Sequence, residues 1–243
     1  MPPAFCTNCS RYRRRMSAAD SLEKIRQRID AAAQRSGRRG EDIRLIAVSK
    51  HQPLSAIEKL AARGQQDFGE NQVQEAIDKI AQLRDRSLEW HFIGHLQSNK
   101  TRYTGSHFSW IHTLDSLRLA RRIATSAEDA GRTIRLLLQV NVSADPAKHG
   151  IAPDELFPLV DELLEADLKG IRLCGLMTIG RRGAGESESR DTFSALRSLL
   201  EQCRQRFGSS FSELSMGMSN DYEWAVEEGA TMLRIGKALF GER

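Results

Sequence analysis

Two hydrophobic periods succeed one another along this chain. Leu22, Ile25, Ile29 and Ala32 recur at intervals of three and four, the stripe of an amphipathic helix, with Ser17 placed as its N-cap. The continuous apolar run at 43–49, "IRLIAVS", then predicts a strand buried on both faces. After Pro53, Ile57, Leu60 and Ala61 return to helical spacing, which Gly64 can end. The exchange repeats to the end of the chain. Strands are predicted at 66–69, 89–94, 108–113, 133–142, 170–179, 213–216 and 231–236. Between them lie the stripes Val73–Ala76–Ile77–Ile80–Leu83, Leu117–Ala120–Ile123–Ala124–Ala127, Leu156–Val160–Leu163–Leu164 and Phe193–Leu196–Leu199–Leu200–Cys203. A polar loop and helix run into the 100s after the third strand, and "DYEWAVEEGA" is helical after the seventh.

Strand–helix units with short connections predict an α/β protein, a single (β/α)8 TIM-type barrel with an extra N-terminal helix. A doubly wound open sheet is the rival, and the absence of G-x-G-x-x-G after the first strand weakens its dinucleotide-binding form. No low-complexity linker divides the chain. One barrel domain is expected over 16–243, preceded by a disordered arginine-rich extension at 1–15.

Charge changes the picture only when it is located. The formal +4 is supplied by Arg11, Arg13, Arg14 and Arg15, leaving 32 basic and 32 acidic side chains elsewhere, so no nucleic-acid surface is expected. The extension lacks the apolar core of a secretory signal, and no run approaches the roughly 18 apolar residues of a membrane span. Cys6 and Cys9 form one C-x-x-C with no second pair, and no histidines stand at ligand spacing beside a carboxylate; no metal is expected. Cys174 and Cys203 fall on apolar stripes, nothing implies disulfides, and a cytoplasmic setting follows.

In a barrel the C-terminal strand ends carry function. Here those ends are polar or glycine-rich: Lys50, Gly69-Glu70-Asn71, Gly94-His95, Asn141, Met177-Thr178, Met216–Asn220 and Arg234-Ile235-Gly236. Loops after strands seven and eight are the usual phosphate site of such barrels. "MGMSND" and "RIGKALFG" supply glycines, the Ser219 hydroxyl and the Arg234 charge, although tight turns and helix caps would use the same residues. A phosphate site facing a lysine suggests pyridoxal 5′-phosphate (PLP), whose aldehyde condenses with a lysine amine.

The elements "AVSK", "FGENQVQEA", "WHFIGHLQSNK", "NVSADPAKHGI", "GLMTIG" and "LSMGMSNDYEWAVEEGATMLRIGKALFG" together resemble the pyridoxal phosphate homeostasis protein family, whose barrel is like that of alanine racemase. The resemblance implies that Lys50 carries PLP as a Schiff base. It further implies that Ser219, Gly236 and Lys237 hold the phosphate, that Arg234 faces the pyridine nitrogen, and that Asn71 lines the pocket. As an N-cap for the following helix, Asn71 has an alternative reading. His95, Asn141, Lys148 and Met177 are candidates for pocket lining or transfer. The chain departs from the family at Gln72, where a tyrosine is frequent, and at His51-Gln52-Pro53, where a second lysine is common.

Two functions of different class fit these residues. An amino-acid racemase needs a base on each face of the substrate Cα, and alanine racemase takes the second, a tyrosine, from an additional C-terminal domain. This chain ends a few residues after strand eight, and Tyr12, Tyr103 and Tyr222 do not match that role. An arginine at the ring nitrogen also makes the ring a weaker electron sink. The expectation is a monomeric PLP carrier, not an enzyme, that serves intracellular PLP homeostasis and delivery to apo-enzymes, with neither nucleic acid nor membrane as partner.

Overall fold

The computed structural model describes residues 18–83, 87–143, 145 and 148–241. Its strands are β1 (Arg44–Val48), β2 (Asp67–Glu70), β3 (Glu89–Phe92), β4 (Trp110–Leu114), β5 (Ile134–Gln139), β6 (Ile171–Met177), β7 (Glu213–Ser215) and β8 (Met232–Ile235). They close in that order into a parallel barrel, β8 pairing with β1 through Ile46↔Arg234 and Ala47↔Ile235. The helices are α1 (Ala18–Arg35), α2 (Leu54–Ala61), α3 (Val73–Gln82), α4 (Thr104–His107), α5 (Leu117–Asp129), α6 (Leu156–Glu165), α7 (Glu186–Phe207), α8 (Tyr222–Glu227) and α9 (Lys237–Phe240). The fold is the (β/α)8 barrel that the periodicity predicts.

Two cores explain the sequence pattern. The larger one lies between barrel wall and helices, where Ala47, Phe68, Phe92, Ile111, Leu136 and Leu138 meet the helical stripes. A smaller one fills the barrel itself with Ile46, Trp110, Leu137, Cys174, Met177 and Met232. Residues on both sides of a strand are therefore buried, which is why the strands read as apolar runs instead of alternating.

The boundaries shift where local hydrogen bonding intervenes. The fifth strand stops at Gln139: Val140 N still donates to Met177 O of β6 at 2.9 Å, but Val140 also bridges to Ile151 of the returning loop, and Asn141 N donates to Ile151 O at 2.9 Å. The helix expected after β3 is a 3-10 segment, Ser98–Tyr103, running into the single turn of α4. Ser17 and the 1–15 extension lie outside the described residues.

Helix α1 closes the circle from outside. It packs against α8 and α9. Arg28 pairs with Glu223, Arg35 with Glu227 at 2.6 Å, and Arg38 Nη1 donates to Val226 O at 2.9 Å. No helix among the described residues is long and apolar enough to cross a membrane.

Candidate cofactor-binding site

Lys50 follows β1 directly, and barrel closure decides its neighbours. On one side Val48 is in register with Gly69, and Ser49 N donates to Gly69 O at 3.0 Å, which sets Glu70 and Asn71 beside the lysine. On the other side Gly236 lies against β1: a Cβ there would meet Val48 Cβ at 3.3 Å and Val48 O at 3.4 Å. The predicted Schiff-base lysine thus stands between the Asn71 loop and the turn that opens α9.

The β7 and β8 loops are tied into one unit. Arg234 N donates to Gly217 O at 3.0 Å, and Ala238 N donates to Ser219 Oγ at 3.1 Å, so Ser219 reaches the first turn of α9. Gly217 has φ +89°, and a Cβ would stand 2.5 Å from that of Ala225; only glycine fits this turn. Gly236 is the N-cap of α9 and Lys237 its first residue, so Ser219, Gly236 and Lys237 converge on one helix start, where backbone N–H groups suit an anion.

Arg234 is a buried cation. Its Nη1 donates to Ser215 Oγ at 2.6 Å and its Nη2 to Thr178 O at 2.8 Å. Burial lowers its pKa to about 10, partly offset by Asp221, so the guanidinium remains charged at neutral pH. Asp221, itself raised by burial, accepts from Met218 N at 2.6 Å and so braces the Ser219 loop.

Asn71 does not cap α3; Gln72 occupies that position, without a side-chain cap bond. The Asn71 Oδ1 is sealed from solvent and has no hydrogen-bond partner in the protein. An amide oxygen in that state costs about 1–3 kcal/mol unless something donates to it. This orphan acceptor beside Lys50, with the glycine-lined helix start opposite, fits a ligand carrying a donor and a phosphate.

The remaining candidates separate. Met177 is wholly buried in the barrel's apolar plug, level with β7 through its pairing to Ser215. Lys148 reaches across the same face, donating to Ser143 Oγ at 2.9 Å and Ile179 O at 3.2 Å. Asn141 is used by its own loop: Nδ2 donates to Asp145 O at 2.8 Å, and Oδ1 accepts from Ser143 Oγ at 3.3 Å. His95 is exposed and stacks on His149 with ring centroids 4.2 Å apart. No metal-binding cluster of His, Cys, Asp or Glu occurs among the described residues.

Sequence reasoning missed the cluster behind Lys50. Lys79 Nζ donates to Ser49 O (2.7 Å), Glu70 Oε1 (2.8 Å) and Glu75 Oε1 (2.7 Å), and Ser49 Oγ also donates to Glu70 Oε1 at 2.7 Å. Glu75 accepts from the backbone N–H of His51, a residue held at φ +59°. The loop bearing Lys50 is thus gripped from both sides of the lysine. A readable signal was present: Val73, Ala76, Lys79 and Leu83 share the buried face of α3, with Glu75 four residues before Lys79.

The alanine racemase N-terminal domain model matches residues 21–243. The pyridoxal phosphate homeostasis protein of Pseudomonas aeruginosa is 43% identical over 93% of this chain and 95% of its own length. Its namesake in Escherichia coli K12 is also 43% identical, over 93% of this chain and 96% of its own. Among solved structures, PipY of Synechococcus elongatus PCC7942 with PLP bound superposes with a TM-score of 0.81 at 39% identity, covering 92% of this chain and all of that one. The chain belongs to the pyridoxal phosphate homeostasis protein family.

Proposed function

We propose that this protein binds pyridoxal 5′-phosphate at the C-terminal mouth of the barrel, linked to the Lys50 amine as a Schiff base, and carries it without turnover. The observation that carries the reading is the juxtaposition just described. Lys50 stands between an orphaned, buried Asn71 Oδ1 and the Ser219–Gly236–Lys237 helix start. The PLP-bound relative at 39% identity supports the ligand, and the names of the curated relatives support a role in homeostasis. When bound, the cofactor supplies an electrophilic aldehyde. The protein's part is to present the lysine on a rigid loop, to anchor phosphate at the start of α9, and to offer Arg234 as a fixed donor to the ring. In this reading the recipients are intracellular PLP-dependent apo-enzymes, and an incoming amine displaces Lys50.

Racemisation is the second reading, favoured by the match to the alanine racemase N-terminal domain model. The described tyrosines do not favour it. Tyr222 is buried beneath Arg28, whose guanidinium lies 5.3 Å from the ring centroid, and the Tyr103 hydroxyl accepts from Arg102 at 2.7 Å. Burial of the one and engagement of the other disfavour both as a base opposite Lys50. Borohydride reduction of the loaded protein followed by peptide mapping tests the site: the pyridoxyl group should sit on Lys50, and an adduct chiefly on Lys148 or Lys237 refutes the assignment. An amino-acid panel tests the class, since sustained racemisation would replace the carrier by the enzyme. Loaded protein should also reactivate an apo-enzyme faster than the cofactor leaks to a trap.

A further inference from the structure

The interior of the barrel below Met177 is not uniformly apolar. A line of polar side chains crosses it, one from each of several strands. Arg234 (β8) donates to Ser215 Oγ (β7) at 2.6 Å, and Ser215 Oγ lies 2.8 Å from His112 Nδ1 (β4). His112 Nε2 lies 3.0 Å from His91 Nδ1 (β3), and His91 Nε2 lies 3.0 Å from Asp67 Oδ1 (β2). Asp67 also accepts from Arg44 Nη1 at 2.8 Å, and both line a cavity of about 560 Å³ at the opposite, N-terminal end of the barrel. His91, His112 and Ser215 are wholly buried and Arg234 nearly so.

With both rings neutral, the direction of every bond follows from the Asp67 end. An ionised carboxylate only accepts, so His91 carries its proton on Nε2 and leaves Nδ1 bare. His112 then donates from Nε2 and leaves its own Nδ1 bare for the Ser215 O–H, while the Ser215 oxygen accepts from Arg234, which can only donate. Burial lowers the pKa of each ring, His112 most strongly with the neighbouring cationic groups adding, while the His91 bond and Arg44 keep Asp67 ionised against its own burial. The line has a fixed cation at one end, a fixed anion at the other and two neutral rings polarised between them. His91 is further locked by stacking on Trp110, with centroids 5.8 Å apart and planes at 5°.

We propose that Ser215 and His112 are positioning residues for Arg234, and that this one-way relay, anchored on Asp67 at the far end of the barrel, fixes the guanidinium that meets the cofactor ring. It rests on the reading of Arg234 as the ring's partner. Without the relay the charged group would have one backbone acceptor, Thr178 O, and would be free to turn about it. With it, two donors are pinned on different strands, and the orientation of the rest of the fork follows.

The first test needs no cofactor. Nitrogen NMR of the protein labelled with 15N-histidine should show His91 and His112 neutral at pH 7, both protonated on Nε2. The opposite tautomer at His112, or a charged ring at either site, overturns the relay. The second test uses PLP as probe on Ser215→Ala, His112→Leu and His112→Gln, the last of which keeps one acceptor and one donor with about the span of the ring nitrogens. Ser215→Ala and His112→Leu should weaken PLP binding by roughly tenfold and shift the visible absorption maximum of the bound cofactor, and His112→Gln should restore both. Thermal stability alone cannot produce a band shift that glutamine reverses. If the wild type binds no PLP, the cofactor reading falls while the NMR result stands by itself. If the wild type binds and Ser215→Ala leaves both affinity and band unchanged, the positioning proposal is overturned.

Discussion

Replacing Lys79 by methionine should expose how the Lys50 loop is held. Lys79 and Glu70 are both buried, and the Lys79 ammonium holds Glu70, Glu75 and the Ser49 carbonyl together. Methionine keeps the packing stem and removes the charge, leaving Glu70 with the Ser49 hydroxyl as its remaining donor. Breaking a buried pair in this way costs about 3–5 kcal/mol. Proton uptake sets a ceiling, because Glu70 can become neutral at about 1.4 kcal/mol for each pH unit above an unfolded pKa of ~4.3. That ceiling is about 3.7 kcal/mol at pH 7 and about 1.6 kcal/mol at pH 5.5. Burial already raises the Glu70 pKa in the intact protein, so the difference should fall somewhat below the ceiling, near ~3 kcal/mol at pH 7. The sign is that of a carboxyl whose folded pKa is raised further by the substitution. The variant's deficit is small near the unfolded pKa and grows as pH rises through the folded one. Urea denaturation of wild type and variant at pH 5.5, 7 and 8 measures this directly. Adding Glu70→Gln should recover most of the loss at pH 7. A deficit that stays constant over this range, or a double variant no better than the single, would show that Glu70 is not an uncompensated buried charge and would refute the reasoning.

Other outcomes follow from single contacts. Ser219→Ala removes a hydroxyl from the start of α9 and should weaken PLP binding about tenfold, as measured by fluorescence titration; an unchanged constant would leave the serine as a loop tie only. Gly217→Ala should destabilise the fold by about 2–4 kcal/mol, because φ +89° is strained for alanine and the new Cβ overlaps Ala225. Thermal denaturation reads that loss. Cys174 and Cys203 are buried with raised thiol pKa values, Cys203 to about 11, so a thiol reagent at pH 7.5 should leave both unmodified in the folded protein and label them once urea unfolds it. Glu227 is acidified against its own burial by Arg190 and Arg35, so its share of stability is present above pH ~4.3 and lost as pH falls through its lowered pKa. Replacing Glu227 by Gln should flatten that part of the acid-unfolding curve.

How much of this was legible depended on the range of the interactions. A parallel strand buried on both faces writes itself as an apolar run, and the eight runs between helical stripes gave the barrel and, from it, the face on which Lys50, Asn71, Ser219 and Arg234 gather. The end of β5 was misjudged because Val140 and Val142 prolong the apolar run, whereas Val140 and Asn141 bond to a loop about ten residues later. Lys79 drew no attention in the sequence: its place on the buried stripe of α3 was readable, but its partner Glu70 lies on a separate element. The interior relay was invisible for a stronger reason. His91, His112, Ser215 and Arg234 each sit singly in an unremarkable strand, and only closure of the barrel brings them into line.

The pairing of β8 with β1 also dictates when the site can exist. Lys50 is made long before Gly236, against which its strand packs, and Arg38 of the opening segment bonds to Val226 across 188 positions. A contact so distant in sequence is closed late, because the loop entropy of the whole barrel must be overcome first. A nascent chain still missing β8 therefore has Lys50 at the open edge of an incomplete sheet, without the start of α9 and without Arg234. Cofactor taken up before β8 is made would have no place to dock; loading belongs to the closed barrel, and PLP binding can report that closure in a refolding experiment.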